Sequence, residues 1–170
     1  MNPVANQKLG ARFERVVQES FDWQCCTFTV AKVTPPARII GKRVVFLANP
    51  FLDFVGVMRV PGLQKGVPLF VECKATTKPK LVVGSGGISE QQVQSLVRWR
   101  NAQSIAFVLW CCVGLGVRAF GCVELMEAAR NCKTLKWDEI GSIVPVHDGK
   151  LDMVSAVRMV EERNQTKGQV

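Results

Sequence analysis

Asp53, Glu72 and Lys74 are the residues of this chain best suited to chemistry. Asp53 stands in one apolar run, Asn49-Pro50-Phe51-Leu52-Asp53-Phe54-Val55-Gly56-Val57, and the other two stand in a second, Leu69-Phe70-Val71-Glu72-Cys73-Lys74-Ala75-Thr76. Leaving a carboxylate unpaired in a strand bound for the interior is costly. Side chains alternate across a strand, so Glu72 and Lys74 share a face, and Asp53 meets them if the two runs pair as a hairpin. The intervening Pro61-Gly62-Leu63-Gln64-Lys65-Gly66 has the composition of a hairpin connection. Together these residues make a small acidic pocket with a cation at its edge.

Such a pocket suits hydrolysis of a phosphodiester. That reaction needs a nucleophilic water, neutralisation of charge in the transition state and help for the departing 3′ oxygen, and magnesium held by carboxylates assists all three. Asp53 and Glu72 supply hard oxygen ligands, and the backbone carbonyl of Cys73 lies between them. Lys74 can position or deprotonate the water and stabilise the developing anion. Glu14 joins the metal shell if its helix packs beneath the sheet. The plainer alternative is a buried ion pair that only ties two strands together, although such pairs stabilise poorly compared with apolar residues.

The elements that must position these side chains follow from periodicity. Over residues 5–22, Leu9, Phe13, Val16, Val17 and Phe21 recur at helical spacing, and Glu14 lies at the border of that stripe. An exposed helix acid paired with a neighbouring arginine explains Glu14 equally well. Residues 25–33 read as a strand ended by Pro35-Pro36, and residues 37–48 as a basic two-stranded ribbon around Gly41. After Thr76 the chain turns polar and glycine-rich, Gly84-Ser85-Gly86-Gly87 lacking the spacing of a phosphate-binding loop, so flexibility is its expected role. Ser89 opens a helix with Val93, Leu96, Val97 and Trp99 as its inward candidates. Ser89 and Gln92 form a capping box, which by itself accounts for the glutamine. Residues 105–113 make a continuous apolar run, hence a central strand, and 117–123 pair with it or follow it. A short helix over 124–131, a helical turn over 137–140, a last strand over 142–146 and a closing helix from Leu151 complete the chain, with residues 161–170 a fraying tail.

Composition bounds the function. The 170 residues, 48% hydrophobic, allow one domain with a proper core. No apolar run reaches bilayer length and no signal-peptide pattern opens the chain, so a soluble cytoplasmic protein is expected. The seven cysteines, odd in number and mostly in strand-like runs, are expected as reduced, buried thiols. Zinc-site spacing is absent, and His147 as the sole histidine argues against a serine or cysteine triad. The net charge is +8, and the first hundred residues hold fourteen Lys/Arg against six Asp/Glu while the rest are balanced at eight each. A basic region around a few acids suits a polyanion held close to a metal. Arg12, Arg15, Arg38, Lys42, Arg43, Lys78 and Lys80 are the candidates for phosphate contact.

Asp53 followed by Glu72-Cys73-Lys74 resembles the D…(D/E)-x-K signature of the PD-(D/E)xK, or restriction-endonuclease-like, nucleases. The order of surrounding features is similar to the RecU family of Holliday junction resolvases. Gly10-x-x-x-Glu14 resembles that family's N-terminal motif, and Lys32-Val33-Thr34-Pro35-Pro36 precedes a ribbon where the family has its stalk. Pro50-x-x-Asp53-Phe54-x-Gly56 resembles the strand of the first acid, Glu72-Cys73-Lys74-Ala75-Thr76 the E-x-K strand, and Ser89-x-x-Gln92-Val93 the helix start that carries the family's glutamine. The chain departs from the pattern in a shorter stalk and in Phe51-Leu52, where the family tends to carry hydroxyls.

The resemblance covers about residues 8–160. It implies an α/β fold with a mixed central β-sheet flanked by helices and a short projecting ribbon over about residues 35–50. It also implies a magnesium-dependent endonuclease, with manganese able to substitute, that cuts four-way DNA junctions as a homodimer. Asp53, Glu72, Lys74, Glu14 and Gln92 would be its catalytic residues, and Asp53, Glu72, Cys73 and Glu14 its metal set. Nuclease action on duplex ends or flaps, and non-catalytic DNA binding, are the alternatives.

Overall fold

The computed structural model of the chain describes residues 3–34, 37–40, 43–46, 52–59, 65–84, 86–131 and 134–167, with residues 3–6, 37–40, 43–46, 131 and 167 as backbone alone. A six-stranded sheet lies at the centre, in the order β1 (Phe28–Lys32), β4 (Phe54–Met58), β5 (Val67–Thr76), β7 (Ile105–Cys112), β8 (Gly116–Gly121), β10 (Ser142–Ile143). Every neighbouring pair is antiparallel except β5 and β7. That parallel step requires a crossover, supplied by helix α2 (Glu90–Asn101). This is the α/β architecture expected, a mixed central sheet flanked by helices.

Helices cover both faces. Phe13, Val17 and Phe21 of α1 (Pro3–Trp23) and Ala156, Val157 and Val160 of α4 (Met153–Lys167) bury one face against Phe54, Leu69, Val71, Phe107 and Leu109. On the other face, Leu96 of α2 and Leu125 of α3 (Cys122–Asn131) pack with Ala106, Val108, Trp110 and Phe120. Strand β7 alternates between the two cores and is buried at every position from Ile105 to Trp110, which is why its sequence is apolar without interruption. Gly56 of β4 faces Val30 of β1, and a Cβ there would collide with the Thr29 carbonyl.

The basic ribbon exists as a separate two-stranded sheet, β2 (Ala37–Ile40) with β3 (Arg43–Phe46). Several expectations are corrected. The polar stretch after Thr76 contains strand β6 (Lys80–Val82), which pairs antiparallel with β9 (Thr134–Lys136) because Leu81 and Val83 are buried in the second core. Residues 24–27 form a turn ahead of β1, which leaves Cys25 and Cys26 exposed as free thiols, whereas Cys73, Cys112 and Cys122 are buried. Cys132 lies outside the described residues. Residues 137–139 form a turn rather than helix, and Leu151 belongs to β12 (Lys150–Leu151), paired with β11 (Val146–His147).

The tail expected to fray from residue 161 instead continues α4 to Lys167. Two of its charged residues pair with other elements of the fold, and a third polar residue is buried. Arg163 Nη1 lies 2.6 Å from Oε1 of the buried Glu124, Arg100 pairs with Glu161 at 3.0 Å, and Asn164 is buried beside Gly121. No described helix is long and apolar enough to cross a membrane.

Candidate active site

The hairpin expected from the two acidic runs is formed by β4 and β5. Phe54 pairs with Val71, and the register carried one residue further sets Asp53 opposite Glu72. Asp53 is tied to that strand twice, its N–H donating to the Val71 carbonyl at 3.1 Å and its Oδ2 accepting from the Cys73 N–H at 2.8 Å. Strand alternation sends the Cys73 side chain into the apolar core beneath α1 and α4. Cys73 therefore meets Asp53 through its amide, and burial holds its thiol well above the usual range.

Glu72 and Lys74 point the opposite way, toward α2. Glu72 is 1% exposed. Its Oε1 receives Lys74 Nζ at 2.7 Å and Gln92 Nε2 at 2.6 Å, while its Oε2 is buried without a hydrogen-bond partner. Gln92 works in two directions. Its Oε1 accepts from the Ser89 N–H at 3.0 Å and Ser89 Oγ accepts from the Gln92 N–H at 3.2 Å, a complete capping box, and the remaining amide nitrogen is left to reach Glu72. The cap and the site contact coexist.

Burial dominates the electrostatics. It raises Glu72 from 4.5 to about 8, outweighing the attraction of Lys74, with Asp53 and Glu14 adding repulsion. Asp53 is raised for the same first reason, against the Cys73 N–H and the cations Lys74 and Lys32. Two neighbouring carboxyl groups that resist ionisation, one with an oxygen lacking a protein partner, form a site that a cation would relieve.

Comparison with known proteins adds a distant structural likeness. No family model matches the chain, and no curated protein does. Among solved structures it is similar to Hjc, a Holliday junction resolvase of the archaeal hyperthermophile Archaeoglobus fulgidus, at 21% identity over 66% of this chain and 72% of that one, with a TM-score of 0.41. A likeness so distant leaves the reading of the site to its own residues.

Glu14 is placed by α1, its carboxylate 2.6 Å from Lys32 Nζ at the end of β1. It is near enough to raise both Asp53 and Glu72, yet among the described residues no three His, Cys, Asp or Glu side chains are grouped to hold a metal ion. Lys32 is the site residue that sequence reasoning passed over. It pairs with Glu14 and lowers Asp53, and the available signal was its place at the end of the strand that neighbours the acidic hairpin.

The phosphate-contact candidates divide. Arg12, Arg15, Lys78 and Lys80 are exposed. Lys42 lies outside the described residues, and Arg38 and Arg43 are described as backbone only. Trp99 does not turn into the core; it is 41% exposed and stacks on Phe70.

Proposed function

We propose that this protein is a magnesium-dependent endodeoxyribonuclease with a restriction-endonuclease-like core that resolves four-way DNA junctions by paired symmetric nicks. The observation that carries the reading is Glu72, a carboxyl group buried on a hairpin with one oxygen unpartnered, Lys74 on the other, and Asp53 across the strand pair. A structural ion pair would satisfy both oxygens; this arrangement holds one in reserve.

Asp53 and Glu72 would hold the ion, with the Cys73 carbonyl, water and phosphate oxygens completing its surroundings. Magnesium is ordinarily bound in this manner, by one or two carboxylates plus water and phosphate, and manganese would substitute. When bound, the ion would lower the pKa of a coordinated water and neutralise charge on the phosphoryl oxygens.

The chain's own groups have separate tasks. The Cys73 N–H fixes the orientation of Asp53, and Gln92 fixes that of Glu72. Lys74, its amine held by Glu72 and its side chain 21% exposed, faces both the carboxyl pair and solvent, where it would orient the attacking water and stabilise the anion that develops. Glu14 and Lys32 set the local field. The basic residues outside the site would grip phosphates and recognise shape more than base sequence. A substrate with near two-fold symmetry cut at two equivalent positions calls for two equivalent sites, hence a homodimer.

A junction-cleavage assay with magnesium present and absent, run beside linear duplex and flap DNA, tests this. Paired symmetric nicks in the junction alone support resolution, and equal cutting of duplex ends or flaps would shift the substrate. Asp53→Asn and Lys74→Ala are expected to abolish cleavage and leave junction binding largely intact. Cleavage unchanged in both variants would leave a DNA-binding module whose acids are structural.

A further inference from the structure

Trp99 is out of character for its helix. The aromatic ring of a residue on a sheet-covering helix normally turns into the core. Here the indole lies over Phe70 with ring centroids 4.1 Å apart and planes 11° from parallel, so one face is backed by an aromatic side chain of β5, while the residue as a whole remains 41% exposed. Beside it Gln91, Gln94, Ser95 and Arg98 form an i, i+3, i+4, i+7 stripe on α2 and line, with Trp99, a groove of about 330 Å³.

We propose that this groove is a subsite for one unpaired base of the DNA strand that enters the acidic site, with Trp99 as its stacking platform. The inference rests on the nuclease reading and extends it with a second point of strand contact. The chemistry of the walls selects the occupant. Glutamine amides donate and accept, as base edges require, and Arg98 supplies a cation for phosphate. No acid lines the groove, and Trp99 is the one hydrophobic residue among those that line it, too little for a protein interface core. A paired base inside a duplex cannot lay its face on an indole, so the occupant is a base from a single strand or an opened step.

Placement ties the groove to the site. Gln92, near the start of α2, touches Glu72, and Trp99, seven residues later, touches Phe70, two residues before Glu72 on the same face of β5. Seven helical residues rise about 10 Å, roughly three nucleotides of a stacked strand.

The test is photocross-linking of a bromouracil-substituted four-way junction and a bromouracil-substituted single-stranded oligonucleotide to the intact protein in chelator, together with affinity measurements by fluorescence anisotropy. The cross-link is expected on Trp99, from a base about two to four nucleotides from the cut. Trp99→Ala is expected to weaken single-strand binding about ten-fold, and Trp99→Phe to restore most of it. The absence of a wild-type cross-link at Trp99 overturns the proposal even if Trp99→Ala fails to fold. Wild-type DNA affinity in Trp99→Ala, with or without a change in self-association, overturns it as well. Cleavage is measured separately with magnesium: a protein that cross-links through Trp99 but never cuts loses the nuclease reading and keeps the platform, and one that cuts without that cross-link does the reverse.

Discussion

Gln92 shows how one side chain serves fold and site together. Its carbonyl oxygen closes the cap of α2 and its amide nitrogen holds Glu72, so the two functions separate only by comparing neighbours. Ser89→Ala removes the cap hydroxyl alone and is expected to cost about 1 kcal/mol of stability while cleavage stays within a few-fold. Gln92→Ala is expected to cost a similar amount and to lower cleavage by roughly ten- to a hundred-fold, the usual effect of losing a group that orients a metal-binding carboxylate. Equal cleavage in the two variants would reduce Gln92 to a cap. Glu72 carries a second prediction. Its carboxyl is raised from 4.5 to about 8 by burial, so between those values the folded protein keeps a proton that the unfolded chain has released. Stability from this group is therefore complete below about pH 4.5 and is lost as pH rises through about 8. Relative to Glu72→Gln, the wild type should lose up to a few kcal/mol across that window in urea titrations. Magnesium should raise the wild-type Tm more at about pH 8.5 than at about pH 6, since binding must displace the proton. Parallel stability curves for the two proteins would mean that Glu72 is ionised throughout. Asp53, Glu72 and Lys74 were legible in the sequence because a charge in an apolar strand has few cheap explanations. The Glu14–Lys32 pair was not, since it joins a helix to a strand eighteen residues later through two side chains of ordinary surface type.

Elements were legible where burial shapes the whole segment and illegible where the segment is very short or a few polar contacts hold it. Strand β7 has core on both faces and reads as a strand from its sequence alone. The pairing of β6 with β9 joins two three-residue segments more than fifty positions apart, too short for any period to register. The end of α4 is the clearest case, a polar stretch expected to fray that is helix as far as Lys167. Glu124, buried on α3, accepts from Arg163 at 2.6 Å and from the Gly141 N–H at 3.2 Å through Oε1, and from the Gly121 N–H at 3.3 Å through Oε2. One carboxylate thus joins α3, α4, the end of β8 and the approach to β10. Glu124→Ala would leave two backbone donors without this acceptor and a half-exposed arginine without its partner, a loss of about 2–4 kcal/mol. Glu124→Gln keeps an acceptor oxygen and is expected to lose about half as much. Thermal unfolding of both variants measures this, and a Tm within a degree or two of wild type for Glu124→Ala would show that α4 ends independently of the latch.

At the scale of the whole molecule, charge is sorted along the chain: the excess of +8 arises entirely within the first hundred residues, those that also carry the acidic hairpin. This asymmetry was legible by counting, whereas the surface that each cation occupies depends on the fold. Arg12 and Arg15 lie on α1, and Lys78 and Lys80 follow the strand that carries Glu72, all four exposed. A protein that neutralises Z phosphates releases their counterions, so the logarithm of its binding constant falls with the logarithm of salt concentration at about 0.9 per phosphate on duplex DNA. Roughly six contacts give a slope near −5. If the contacts read shape, as proposed, the slope should be nearly the same for junctions of different sequence. Replacing Lys78 and Lys80 together by alanine removes up to two contacts and should reduce the slope by about two, while any preference for junction over duplex, which depends on geometry rather than on these two charges, stays put. Anisotropy titrations from about 50 to 200 mM salt on wild type and the double variant provide both slopes. A flat response in the wild type would detach the basic half from DNA binding. A slope unchanged by the double variant would move the phosphate grip away from the end of β5, toward α1 and the β2–β3 ribbon.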